Sequence, residues 1–165
     1  MMRPALLTTL LLSITAPVAA QEGAWTYRAD LEPVELSYVA PGGSAAAVTF
    51  TCEKDSRQLV ARFPVEQRLG VEAVDGRWLD NVGRAAPWPV SVTLASADSR
   101  TTIPGVADID PQGGGSMVSV EFADRAPVAE AFRQTGVISL AAVGGVVTPS
   151  PAPRRSVQTF LRYCR

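Results

Sequence analysis

From Trp25 onward the chain alternates between apolar and polar positions. Trp25 and Tyr27 share one side of an extended segment, and Val34, Leu36 and Tyr38 repeat the spacing of two over 34–40. After the turn Pro41-Gly-Gly-Ser44, Val48, Phe50 and Cys52 alternate with Thr49 and Thr51. Leu59, Ala61 and Phe63 do the same until Pro64, and the polar stretch Glu53–Arg57 between the two runs is of hairpin length. The pattern predicts an antiparallel hairpin with Cys52 on its buried face. Asp75-Gly76, between strand-like flanks, is the strongest turn signal, because both central positions of such a hairpin need positive φ. Asn81 to Pro89 reads as a loop, with Trp88 between two prolines. A strand is expected over 90–95, a short return at 101–103 ended by Pro104-Gly105, a further piece at 106–109, and another strand over Met117–Phe122 after the loop Gly113–Ser116.

The period changes after Phe122. Asp124 is placed to cap a helix, Pro127 falls in its first turn, Val128, Ala131 and Phe132 repeat at three and four, and Gly136 supplies a stop. This predicts a helix over 125–134. Val137 to Val143 is an almost continuous apolar run, expected to be a central strand covered on both sides. Thr148 to Pro153 holds three prolines and cannot join a sheet ladder. The last stretch admits two periods. Val157, Thr159, Leu161 and Tyr163 fit a strand, whereas Val157, Phe160, Leu161 and Cys164 fit one face of a helix. The helix near 155–164 is preferred because it groups the most apolar residues with the cysteine. Hairpin-linked strands followed by two short helices predict a β-rich α+β fold, an antiparallel sheet or a sandwich with helical additions.

The N-terminus changes where this fold is expected to reside. Arg3, the apolar run from Ala5 and the small-residue end Val18-Ala-Ala20 have the parts of a secretory signal peptide over 1–20. The run is too short and Thr-rich to span a bilayer, which takes about 20 apolar residues. The expectation is one globular domain, 21–165, periplasmic or secreted, with no stable membrane insertion after cleavage. In such a compartment two cysteines are read as a disulfide, Cys52 to Cys164, tying the last helix to an early strand.

Charge and residue usage mostly exclude. The formal net charge is −1, Lys54 is the sole lysine, and no basic block suggests nucleic acid. Histidine is absent, which removes the commonest general base and metal ligand and every Ser/His or Cys/His pair. Lys54, flanked by Glu53 and Asp55 at a hairpin tip, reads as a solvated turn residue rather than the partner of a catalytic serine. Asp108, Asp110, Glu121 and Asp124 are the remaining catalytic carboxylates, and they serve only if a cleft brings them together. Asp108-Ile-Asp110-Pro-Gln112-Gly113 opens like a calcium loop, but Ser119 stands where the closing Glu belongs, so a polar hairpin loop is expected. Gly113-Gly-Gly115 lacks the lysine of a phosphate loop and precedes a strand. Trp25, Trp78 and Trp88 are read as covering edges of the core rather than as a binding face.

Trp25, the strand end Phe50-Thr-Cys52, the helix Val128–Phe132, the apolar run 137–143 and the terminal Phe160-Leu-Arg-Tyr-Cys164 occur in an order that resembles small exported proteobacterial proteins. The chain looks distantly like the periplasmic accessory proteins of type VI secretion and the invasion-associated locus B family. It departs from them where Pro149–Arg155 replaces a Phe-Leu-Gly stretch before the last helix. The resemblance implies a small β-rich exported protein without established catalysis. The leader, the absent histidine and the loop-rich sheet give the expected function: a non-catalytic module, with no cofactor and no metal, that binds another envelope protein. The alternative is a secreted inhibitor of a hydrolase, such as a lysozyme or protease, that inserts loop 111–116 or 148–153 into the target's cleft.

Overall fold

The computed structural model describes residues 23–165, so the leader expected at 1–20 lies outside the described residues. The strands are β1 (Ala24–Arg28), β2 (Val34–Val39), β3 (Ala46–Cys52), β4 (Gln58–Val65), β5 (Glu72–Val74), β6 (Arg77–Leu79), β7 (Trp88–Ser96), β8 (Ser99–Ile109), β9 (Ser116–Ala123), β10 (Ser139–Ala142) and β11 (Gly145–Val147). Two helices, α1 (Pro127–Thr135) and α2 (Arg154–Tyr163), come late. Nine strands form one sheet in the order β1-β2-β3-β4-β9-β8-β7-β10-β11, and β5 and β6 form a separate hairpin. Every pairing is antiparallel. The fold is thus β-rich α+β, built on one curled sheet rather than a sandwich.

Alternation along each strand gives this sheet one apolar face. Tyr27, Leu36, Phe50, Ala61 and Val120 stand opposite one another across five strands and point to the core. One residue along, Thr26, Ser37, Thr49, Arg62 and Ser119 form the matching row on the other face. The helices fill the apolar face. Helix α1 lies against β7 and β8, and α2 against α1 and β2. Val128 and Phe132 of α1 and Val157, Phe160 and Leu161 of α2 are buried. Trp25 packs 6.1 Å from Phe132 between ring centres, and Tyr27 meets Phe160 edge-on.

The last residues hold this end of the sheet. The Sγ atoms of Cys52 and Cys164 stand 2.12 Å apart, at disulfide distance, with Cα atoms 5.8 Å apart across a sequence separation of 112. The Arg57 N–H donates to the Cys164 carbonyl at 2.8 Å, and the Asp124 N–H to the Arg57 carbonyl at 3.0 Å. Arg165 donates from Nε to Asp124 at 2.9 Å and from Nη2 to Glu130 at 2.6 Å. Burial alone would raise the pKa of Glu130, but hydrogen bonds from Arg165 and Arg133 outweigh it and hold the carboxyl below its ordinary value. Tyr163 donates to Glu32 at 2.8 Å, and that bond leads the causes that raise its phenol pKa.

Several expectations need correction. Pro64 and Pro104 are expected to end strands and Pro89 to lie in a loop, yet they lie inside β4, β8 and β7. The β7–β8 turn is two residues long, with Ser96 opposite Ser99, so alternate residues from Ser99 bond across to β7 and Pro104 turns its nitrogen away. On that side β8 meets β9 only from Val106 onward, so the missing N–H costs no ladder bond. The pieces 101–103 and 106–109 are therefore one strand. Asp124 does not cap α1. Ala126 occupies that position without a side-chain bond, and Asp124 serves Arg165 instead. The strand expected over 137–143 is β10, next to the sheet edge and covered on one face only, with Val143-Gly144 turning into β11. The Asp75-Gly76 turn between β5 and β6 and the left-handed Gly136 that ends α1 are as expected.

Candidate functional site

Opposite the helices, the sheet opens. Strands β3 and β4 pair only from Thr49 to Thr51, leaving Ala46–Val48 of β3 and Phe63–Val65 of β4 without partners on their facing sides. Two local causes act here. The β2–β3 register shifts at Tyr38/Val39, a bulge at Ala47 that bends β3 away. Pro64 offers no N–H to β3, although it still faces Met117 of β9. The curl of the sheet then brings its far edge, β11, over the gap. A Cβ on Gly145 would stand 3.1 Å from the Val65 side chain. The β2–β3 turn, the end of β4, the 110–115 loop and the β10–β11 hairpin enclose an open cleft of about 900 Å³.

Small residues line it. Ala45, Ala46 and Ala47 form one wall, and Gly144, Gly145 and Val146 another. Backbone is therefore within a ligand's reach along both walls. Val143 and Gly144 have φ of 51° and 77°, the signs of a type I′ turn. In that register Gly145 and Val147 bond to β10, and Val146 turns its N–H and C=O to the free edge of the sheet. Its side chain is 66% exposed.

The charged groups of the cleft are Glu66, which is exposed, and Asp110, which is buried to 7% exposure; among the described residues no Lys or Arg lines it. Asp110 directly follows β8 and is fixed by its own loop. Its N–H donates to the Gly115 carbonyl at 3.3 Å, and its Oδ1 accepts the Gln112 N–H at 3.0 Å. Gly115 is required here because a Cβ would collide with the Val65 carbonyl oxygen. Among the described residues Oδ2 has no hydrogen-bond partner and Asp110 no ion pair. It is a largely buried carboxylate at the cleft, and its unbonded Oδ2 lies beside Gly113 of its own loop, where solvent reaches it.

The sequence carboxylates do not converge. Asp108 and Glu121 are exposed on their strands, and Asp108 accepts its neighbour's N–H from Ile109 at 2.7 Å. Asp124 is buried at the helix end with Arg165. Only Asp110 lies in the cleft, and its companion there, Glu66, carried no signal in the sequence. Among the described residues no group of three or more His, Cys, Asp or Glu is arranged to hold a metal.

The tryptophans lie at the rim of the core. Trp88 is buried and donates to the Arg84 carbonyl at 2.9 Å, and Trp78 packs under Arg68 at 4.2 Å. The Pro-rich loop 148–153 lies down on the fold: Trp25 donates to the Ser150 carbonyl at 2.7 Å, and the Ala152 N–H to Gly136 at 2.7 Å. The segment that stands out is instead the β5–β6 hairpin with its following turn, where Val71, Val74 and Val82 are 62%, 40% and 67% exposed. Asp80 braces its base, accepting from the Val82 and Arg84 N–H groups and from the Arg84 guanidinium. Burial works to raise the Asp80 pKa, but these bonds hold it below its ordinary value.

No family model, curated protein or solved structure matches the chain. Among the described residues no helix is long and apolar enough to cross a membrane.

Proposed function

We propose that the chain is an exported, non-catalytic module that binds another component of the cell envelope. The cleft beside β11 carries this reading: free strand backbone on its walls, small side chains that leave that backbone open, and a carboxylate without a cation. Recognition surfaces commonly combine an open wall with a few placed polar groups. Export is supported by the leader-like sequence and by the Cys52–Cys164 pair at disulfide distance. The test is gentle crosslinking of tagged mature protein in envelope extract, followed by identification of what is captured. Reproducible recovery of one envelope protein is expected; recovery of none argues strongly against the reading.

A second reading, inhibition of a hydrolase, is favoured by the projecting β5–β6 hairpin, whose valines are exposed on a base braced by Asp80. Initial rates of lysozymes and proteases with and without the protein separate the two, because a cleft binder leaves every rate unchanged.

A further inference from the structure

We infer that the cleft takes one extended peptide segment of a partner, added as a strand to β11 and carrying a Lys or Arg side chain or a free amine that pairs with Asp110; this rests on the binding-module reading. The strand geometry sets the mode. Val146 presents an N–H and a C=O to the free edge, and Ala46–Val48 of β3 has no partner on the side facing β4. A segment lying between them gains ladder bonds from β11 and fills the space that the bulge at Ala47 and Pro64 hold open. Alanine and glycine walls admit the backbone closely and select little among side chains. Charge sets the selectivity. Asp110 is largely buried and Glu66 stands at the same cleft; among the described residues Oδ2 accepts no hydrogen bond and no basic side chain lines the cleft. A cation from the ligand pairs with Asp110, whereas an acidic ligand meets two carboxylates.

Two experiments on the mature protein test this. A displayed library of fully randomised heptapeptides is selected against the native protein and against the Asp110→Asn and Val146→Pro variants. Val146→Pro removes the N–H that faces the cleft and keeps the bonds to β10. The native protein is expected to enrich Lys or Arg over Asp and Glu at one position and to deplete Pro. Asp110→Asn is expected to lose the basic preference and to weaken the best peptide about ten-fold or more. Val146→Pro is expected to abolish binding. Melting curves certify that both variants fold, and Glu66→Gln, at an exposed position, is expected to give a smaller weakening in the same direction. Selection of no peptide, or of the same peptides by all variants, overturns the inference. In parallel, a photo-crosslinking residue is placed at Val146 or at Val82 and irradiated in envelope extract. A product at Val82 alone overturns the cleft and leaves the binding module standing, whereas no product at either position removes both. A product at Val146 whose crosslinked segment is extended and basic completes the case.

Discussion

At the helix end of the sheet, Cys164 reaches Cys52, Arg165 reaches Asp124 and Glu130, and Phe160 is fully buried. At the cleft end, alanines and glycines line the walls, and among the described residues strand backbone is unpaired and Asp110 has no cation. The two ends belong to the same strands, so the difference lies in what is brought to them. The C-terminal residues saturate one end, and nothing in the described chain saturates the other. Stability should therefore concentrate where the contacts do, and binding where groups are left unmatched.

The largest expected effect comes from removing the clasp. Truncation before Arg154 deletes Val157, Phe160 and Leu161 from the core and is expected to abolish cooperative melting. A truncated chain that still melts cooperatively would mean that the C-terminal residues do not hold this end of the sheet. Next, Cys52→Ser with Cys164→Ser opens a loop spanning 112 positions and is expected to cost about 4–5 kcal/mol by chain entropy, read from urea titrations. Equal thiol counts in the denatured protein before and after reduction would mean that the bond never formed. Arg165→Ala leaves Asp124, with a side chain only 2% exposed, without its cation and is expected to cost about 1–3 kcal/mol.

A smaller effect follows from pH. Glu130 has a folded pKa below its ordinary 4.5, so its ion pairs stabilise the fold above that value and are lost as pH falls through the folded value. Native protein should lose stability below pH 4.5 more steeply than Arg165→Ala, measured by melting across an acid series. The smallest effect on stability is expected at the cleft. Val146→Pro should shift unfolding by no more than about 0.5 kcal/mol while abolishing peptide binding. A large loss of stability there would mean that the free edge is structural.

Much of the saturated end was legible in the sequence. Val157, Phe160, Leu161 and Cys164 on a helical period, Cys52 on an alternating one, and Gly136 after a short amphipathic run are local patterns with one good solution each. The cleft was not legible, for two reasons. Strand order is a global property, so no local pattern announces that β11 curls back over β4. Proline was also read as a strand end, whereas Pro64 and Pro104 mark places where one neighbour is missing while the other continues. The glycine run 113–115 is legible as a loop, and the Gly115 carbonyl accepts the Asp110 N–H there. Glu66 was invisible because its role depends on where β3 diverges from β4.

Amide hydrogen exchange on the mature protein, with and without the selected basic peptide, reads both ends at once. Amides of α2 and Arg57 are expected to exchange only through global unfolding in either case, and Val146 to exchange fast alone and slowly with peptide. Unchanged exchange at Val146, or new protection confined to the β5–β6 hairpin, would contradict this.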